Sequence, residues 1–294
     1  MSVRSRATAR SYLTAGALLL SWGLAGRSFG EQPPLRVCAD PENLPYSNQQ
    51  LDGFENKIAS IVASDLGVSL EYFWWPAQRG LVRNTLQAGN CEVLIEIPKG
   101  FDPVLCTKPY FRSTYVIVYR RDRGLNLRSL DDPTLRSFRI GAHVNTPPYD
   151  ALANRGLAEN LVVYRMFFDP RDTSPDGKPQ RPLEDVASGA IDVAVAWGPL
   201  AGYFVREHPS PALEVVPLED DPKVAMSFEF SMGVSKGARE LKDRLEGTLD
   251  RRGEQVRRVL EDYGVPLLPL KPAGPSPAEG RATPGSHKHD PGND

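Results

Sequence analysis

Between residues 35 and 98 the chain alternates strand-like and helix-like patterns, and that alternation narrows the fold more than any other feature. LRVCAD (35–40) is a short apolar run. Asp52, three residues ahead of Glu55, predicts a capping box. The helix it would open carries Phe54, Ile58, Ile61, Val62 and Leu66 on one face and stops at Gly67. LEYFWW (70–75) reads as a second strand closed by Pro76. Leu81, Val82, Thr85 and Leu86 line a second helix ended by Gly89, and EVLIEI (92–97) is a third strand. Strand, helix, strand, helix, strand implies a parallel sheet. Ligands of such sheets gather at the carboxyl ends of the strands, here Asp40 to Tyr46, Trp74 to Arg79, and Pro98 to Asp102.

A second unit follows. TYVIVYR (114–120), SFRIGAH (137–143), LVVYRMF (161–167) and IDVAVAW (191–197) read as strands, with a helix through Tyr149, Leu152 and Leu157. A Pro/Gly-rich loop (169–182) and a short helix, Leu183 to Ser188, precede the last of these strands. EVVPL (214–218) and FSMGVS (230–235) lead into a long amphipathic stretch whose buried side is marked by Leu241, Leu245, Leu249, Val256, Val259, Leu260 and Tyr263.

The two ends differ from the middle. Arg4, Arg6 and Arg10 precede an apolar run from Ala15 to Ala25, and Ser28-Phe29-Gly30 supplies small residues two apart. Residues 1–30 therefore read as a secretory signal peptide, with an uncleaved N-terminal membrane helix as the alternative. Its removal takes four arginines and no acids, leaving 31 Lys and Arg against 37 Asp and Glu. A mildly acidic chain without a basic stripe argues against nucleic acid as a partner. Residues 271–294 are dense in Pro and Gly, have no apolar periodicity, and read as a disordered tail in which His287 and His289 are incidental. Three cysteines remain, none in a CxxC spacing. Cys38 and Cys91 open buried-looking strands and are the favoured disulfide pair, with two inert thiols as the alternative.

Several strings resemble the family 3 periplasmic solute-binding proteins: D-G-F-E-N-K-I-A (52–59), the K-P-Y-F corner (108–111), I-G-A-H-V-N-T-P-P-Y (140–149) and Gly233 to Gly237. LRVCADPENLPYSN, GFENKIA, WWPAQRGLVRNTL and TKPYFRSTYV together resemble a narrower group, the MoxJ/XoxJ proteins of methanol oxidation. The resemblance covers about residues 35 to 270. It implies an α/β fold of the two-lobe periplasmic-binding-protein type II, with three-layer α/β/α lobes and crossing strands. Lobe 1 would comprise residues 31–118 and 219–270, and lobe 2 residues 119–218. It also implies a periplasmic location and a role in assisting a PQQ-dependent methanol (alcohol) dehydrogenase.

Amino-acid binders of the wider family grip the ligand carboxylate with an arginine after the third strand and its ammonium with an acid of the second lobe. Here the first place is occupied by Lys99, Gly100, Phe101 and Asp102, and the second by Trp197-Gly198-Pro199. A lysine cannot reproduce a bidentate guanidinium fork, and a zwitterion buried without opposed charges is heavily penalised. A free amino acid is therefore a poor ligand for this chain. The expected opening is instead aromatic, with Tyr46, Trp74, Trp75, Phe101, Tyr115 and Trp197 at strand ends. In a strand the rings of Trp74 and Trp75 must face opposite ways. Phe54 and Tyr110 read as core. Polar candidates are Asp40, Asn43, Glu55, Arg79, Lys99, Asp102, His143 and Asn145, with Asp40 more simply a loop cap and His143 a hydrogen-bonding histidine. Asp40, Asn43 and Glu55 lie around the end of the first strand.

Three functions follow from this pattern. The first is a monomeric, non-catalytic accessory protein that binds the dehydrogenase or a related protein through its cleft. The second is a receptor for an ABC importer of a neutral or aromatic small molecule. The third, an enzyme, is disfavoured because GxSxG, HExxH and P-loop motifs are all absent. No metal or cofactor is expected.

Overall fold

Gly53 decides where the first helix begins. A Cβ at this position would lie 2.0 Å from the carbonyl oxygen of Tyr46, so only glycine lets the chain pass there. In the computed structural model, which describes residues 32–165 and 177–272, strand β1 (Leu35–Ala39) runs into a small hairpin, β2 (Glu42–Asn43) and β3 (Ser47–Asn48), and then into helix α1 (Phe54–Leu66). The expected capping box of Asp52 and Glu55 is displaced by one residue. Gly53 is the N-cap, and the Asn56 side chain reaches back to accept from the Gly53 amide at 3.2 Å and from the Asn48 amide at 3.1 Å. Asp52 instead donates its amide to the Asn48 side chain. Glu55 is thereby released from capping. Phe54, Ile58 and Val62 are wholly buried, each worth about 1.5–3 kcal/mol, and Gly67 closes the helix with a φ of 69°.

Strand β4 (Leu70–Trp74) follows, then helix α2 (Leu81–Asn84) and strand β5 (Val93–Pro98). Helix α2 is shorter than its apolar pattern predicts. The Thr85 hydroxyl donates to the Leu81 carbonyl at 2.7 Å and the backbone leaves helical geometry at that residue. Leu86 is buried all the same. Strands β4 and β5 flank β1, both parallel to it, as the alternation requires.

The second half contains β6 (Leu105–Cys106), β7 (Phe111–Arg120), β8 (Ile140–His143), α3 (Pro147–Asn154), β9 (Leu161–Tyr164), α4 (Arg181–Ser188) and β10 (Val193–Trp197). Helix α5 (Gly198–Glu207), β11 (Leu213–Pro217), β12 (Ser227–Val234) and α6 (Arg239–Asp262) complete it. Helix α5 is unexpected, because Gly198-Pro199 reads as a breaker. Proline is well suited to a helix's first turn, where its missing N–H costs nothing. Gly198 is needed there because a Cβ would come within 2.4 Å of the Thr114 carbonyl oxygen.

The main sheet runs β4-β1-β5-β12-β7-β10-β8-β9, with β11 beside β7 and β6 beside β12. One strand, β7, is shared. The first part of β7 pairs antiparallel with β12, and its second part with β10 and β11. On one side of this crossing, α1 and α6 cover one face of β1, β5 and β12, while Leu86, Leu94, Ile97 and Val104 cover the other with the two bridged cysteines. On the other side, two further cores sandwich β7, β8 and β10, one holding Leu135, Leu152 and Met226, the other Leu183, Val186 and Phe204. The architecture is the two-lobe α/β fold with crossing strands. Cys38 and Cys91 are joined, with Cα atoms 5.4 Å apart, and Cys106 is a free thiol. Residues 1–30, where a signal peptide is expected, the residues from 273 onward with their histidines, and part of the Pro/Gly-rich loop lie outside the described residues.

Candidate functional site

A bulge in β5 aims one charged side chain. Ser231 pairs with Ile97 and Gly233 with Leu94, so three steps of β5 oppose two of β12. Simple alternation would put Ile97 beside Ile95 and Glu96 beside Leu94. Instead Ile95 stays in the core beneath α1 while Ile97 joins Leu94 in the opposite one. Glu96 is turned toward α1, where burial raises its proton affinity and Glu55 raises it further. Bulges commonly re-aim side chains in this way. One carboxylate oxygen of Glu96, Oε2, is sealed from solvent and has no hydrogen-bond partner.

The surroundings of Glu96 are acidic and aromatic. Burial pushes the Glu55 carboxyl up to about 8, and the Asp40 carboxylate adds to the effect. The start of α1 would favour an anion at Glu55 by about 0.3–1 kcal/mol, so burial and repulsion outweigh the helix. Burial, with Glu96 and Glu55 adding to it, holds the phenols of Tyr46 and Tyr110 well above their ordinary value. Tyr72 is raised by burial and also by Glu55. The Trp197 indole acts on the Tyr46 hydroxyl as a hydrogen-bond partner in the opposite direction. Tyr110 donates its hydroxyl to the Ile95 carbonyl at 2.9 Å, which places its ring beside the bulge.

Trp197 ties the two halves together. It ends β10, whose preceding residues pack in the cores of the second half, yet its ring packs against the core beneath α1. Its ring centroid lies 5.1 Å from Tyr115, 6.0 Å from Phe228 and 5.8 Å from Phe230. Tyr115, its strand partner, is pushed by burial to about 12. Tyr72 and Trp74 stack at 4.7 Å. Tyr46, Trp74, Tyr110, Tyr115 and Trp197 are all half-buried.

The remaining sequence candidates are spread around this centre. Asp40 caps its loop, accepting from the amides of Glu42 at 2.8 Å and Ala77 at 2.5 Å, and also bears on Glu55. Asn43, half-buried, accepts from the Tyr46 amide and lies in the hairpin. Trp75 lies just past β4 with its indole nitrogen buried and unpartnered. Arg79 is exposed. Lys99 points outward and pairs with Glu229 at 2.8 Å, Phe101 is 38% exposed, and Asp102 pairs with Lys236 at 3.2 Å. These last three are exposed. His143 is buried beside Tyr164, and burial lowers it to about 4. Asn145 is exposed in a left-handed turn with a φ of 61°. Glu96 and Tyr72 were not among the sequence candidates. A single carboxylate in the apolar run VLIEIP was the available signal.

Among the described residues no group of acidic, histidine or cysteine side chains is placed to hold a metal ion, and no helix is long and apolar enough to cross a membrane. No family model matches the chain. MoxJ of Methylorubrum extorquens is 34% identical over 249 residues, covering 80% of this chain and 82% of that protein. The crystal structure of MxaJ from Methlophaga aminisulfidivorans MPT matches with a TM-score of 0.72 at 29% identity, covering 80% of this chain and 100% of that one. That of the periplasmic binding protein XoxJ from Methylobacterium extorquens AM1 matches with a TM-score of 0.67 at 37% identity and the same coverage. The chain belongs to the MoxJ family of periplasmic binding proteins.

Proposed function

We propose that this chain is an exported, non-catalytic accessory protein of a methanol-oxidation system that binds a PQQ-dependent alcohol dehydrogenase, or a protein associated with it, through the cleft at Trp197. The reading divides the chain into lobe 1, residues 31–118 with 219–270, and lobe 2, residues 119–218, with the cleft between them. Family membership supports the setting. The observation that carries the mode of action is the fate of the carboxylate grip. By the resemblance, Lys99 to Asp102 take the arginine's place and Trp197 that of the second-lobe acid; Lys99 is exposed and engaged by Glu229, and Trp197 ends β10. A zwitterion entering here would lose its hydration without opposed charges to compensate. Half-buried Trp and Tyr rings are the kind of anchors that dominate protein interfaces.

The test is genetic and physical together. Deleting the gene should lower dehydrogenase activity during growth on methanol, and the purified protein should bind the purified dehydrogenase. Full dehydrogenase activity in the deletion strain under every methanol regime would contradict the proposal. The second reading is a receptor for a small neutral or aromatic solute, favoured by the stacked Tyr72 and Trp74 rings. A saturable thermal shift with such a solute would support it, since ligand at a hundred times its Kd adds about 2.7 kcal/mol.

A further inference from the structure

We propose that Glu55 and Glu96 together receive an organic cation, an ammonium or guanidinium group on whatever enters the cleft, held against the rings of Tyr46, Tyr72 and Tyr110. The inference rests on reading the cleft as a binding surface and goes further by naming the chemistry of the guest.

The side chains gathered here share one sign. Asp40 from the end of β1, Glu55 from α1, Glu96 from the β5 bulge, Tyr72 from β4, and Tyr46 and Tyr110 from the adjoining loops are all acids, and burial and mutual repulsion raise the last five. The other groups acting on these five are Tyr115, another acid, and the neutral Trp197 and Asn56, whose backbone carbonyl accepts from the Tyr72 hydroxyl. Lys99, close in sequence to Glu96, is engaged by Glu229.

Glu96 is half-buried, and a carboxylate oxygen sealed from solvent normally has a hydrogen-bond partner. Glu96 Oε2 is sealed off and has none, although the bulge specifically brings it here. A metal ion is the wrong guest, since no set of three ligating side chains converges among the described residues. An organic cation fits both halves of the surroundings. Its charge suits the carboxylates, and the faces of phenol rings attract ammonium and guanidinium groups. Without the guest Glu55 keeps its proton up to about pH 8, so the cation must displace protons and its binding must strengthen as pH rises.

The test is calorimetric titration of the whole protein at pH 6.5 and 8.5. The probes are N-acetyl-arginine amide, N-acetyl-lysine amide and the uncharged isostere N-acetyl-citrulline amide, with agmatine and cadaverine as free amines. The charged blocked amino acids should bind, the citrulline compound at least about tenfold more weakly, as loss of a charge-assisted hydrogen bond implies. Affinity should rise about tenfold between the two pH values, with protons released. Glu96→Gln, which leaves folding intact or improves it, should remove about tenfold of the affinity, and Glu55→Gln should act in the same direction. Free amines binding as tightly as the blocked amino acids would assign the cation to a solute. Weaker amines would assign it to a side chain of a protein partner. Equal binding of the citrulline compound, no effect of either Gln variant, or no binding of any charged probe at millimolar concentration would overturn the inference. If the dehydrogenase bound wild type and the double Gln variant alike, the cation site would fall and the accessory role would stand. If the charged probes bound but the dehydrogenase did not, the accessory role alone would fall.

Discussion

Burial raises the proton affinity of Glu96 on the β5 bulge, and Glu55, on the first turn of α1, raises it further. The two residues come from elements that sequence patterns describe separately. They meet because Asn56 does the capping that Glu55 was expected to do, and because the bulge turns Glu96 away from Leu94. Burial of the two carboxyls and their mutual repulsion both oppose folding.

Replacing either acid by its neutral isostere should therefore stabilise the protein. At pH 7.5, Glu96→Gln and Glu55→Gln should each raise stability, because neither side chain then has to hold a charge or take up a proton on burial. Thermal unfolding should show a higher Tm. A lower Tm in both variants would mean that the carboxylates have structural partners.

The pH dependence has a definite sign. Glu55 is raised from its unfolded value of 4.5 to about 8. Its favourable contribution is complete below 4.5 and is lost as pH climbs to 8. His143 is lowered from 6.5 to about 4, so its contribution is complete above 6.5 and is lost as pH falls toward 4. Between 4.5 and 6.5 the two oppose each other. Above 6.5 only the carboxylate effect continues, and the Tm of the wild type should decline from pH 6.5 to 8.5. The decline should be shallower in Glu55→Gln and unchanged in His143→Gln.

The Cys38–Cys91 bridge closes 53 residues carrying both Tyr46 and Glu55. Removing it by Cys38→Ser with Cys91→Ser should cost about 2–4 kcal/mol, seen as a lower urea midpoint. Cys106→Ser, which removes the free thiol, should leave the midpoint unchanged within about 0.5 kcal/mol.

Trp197 packs on rings from both sides of the crossing strands. Trp197→Ala should weaken partner binding by about 2 kcal/mol or more, the range of an interfacial hot spot. Trp197→Phe should restore part of it. Binding unaffected by both changes would place the interface elsewhere.

Much of the fold was legible in the sequence and the centre of the site was not. The parallel set β4-β1-β5 follows from alternation, and Gly67 marks a helix end because only glycine readily adopts its left-handed turn. The cysteine pair was the favoured of two readings and is formed. Asp40 caps its loop, as acids after a strand commonly do. Helix α5 was missed because Gly-Pro ends helices in most settings and opens one only at the first turn. Glu96 was missed because a strand is read with a period of two. The extra residue that reverses its direction is fixed by pairing with Gly233 and Ser231, more than 130 positions later in the chain. Local pattern carries no trace of such a partner.

The most direct measurement is a set of calorimetric titrations of the purified protein with its cognate dehydrogenase, glutamine and arginine. The account predicts saturable binding of the dehydrogenase, weakened in Trp197→Ala, and no binding of glutamine. It also predicts arginine weaker than its carboxylate-blocked amide. Micromolar binding of glutamine or free arginine with no affinity for the dehydrogenase would contradict it.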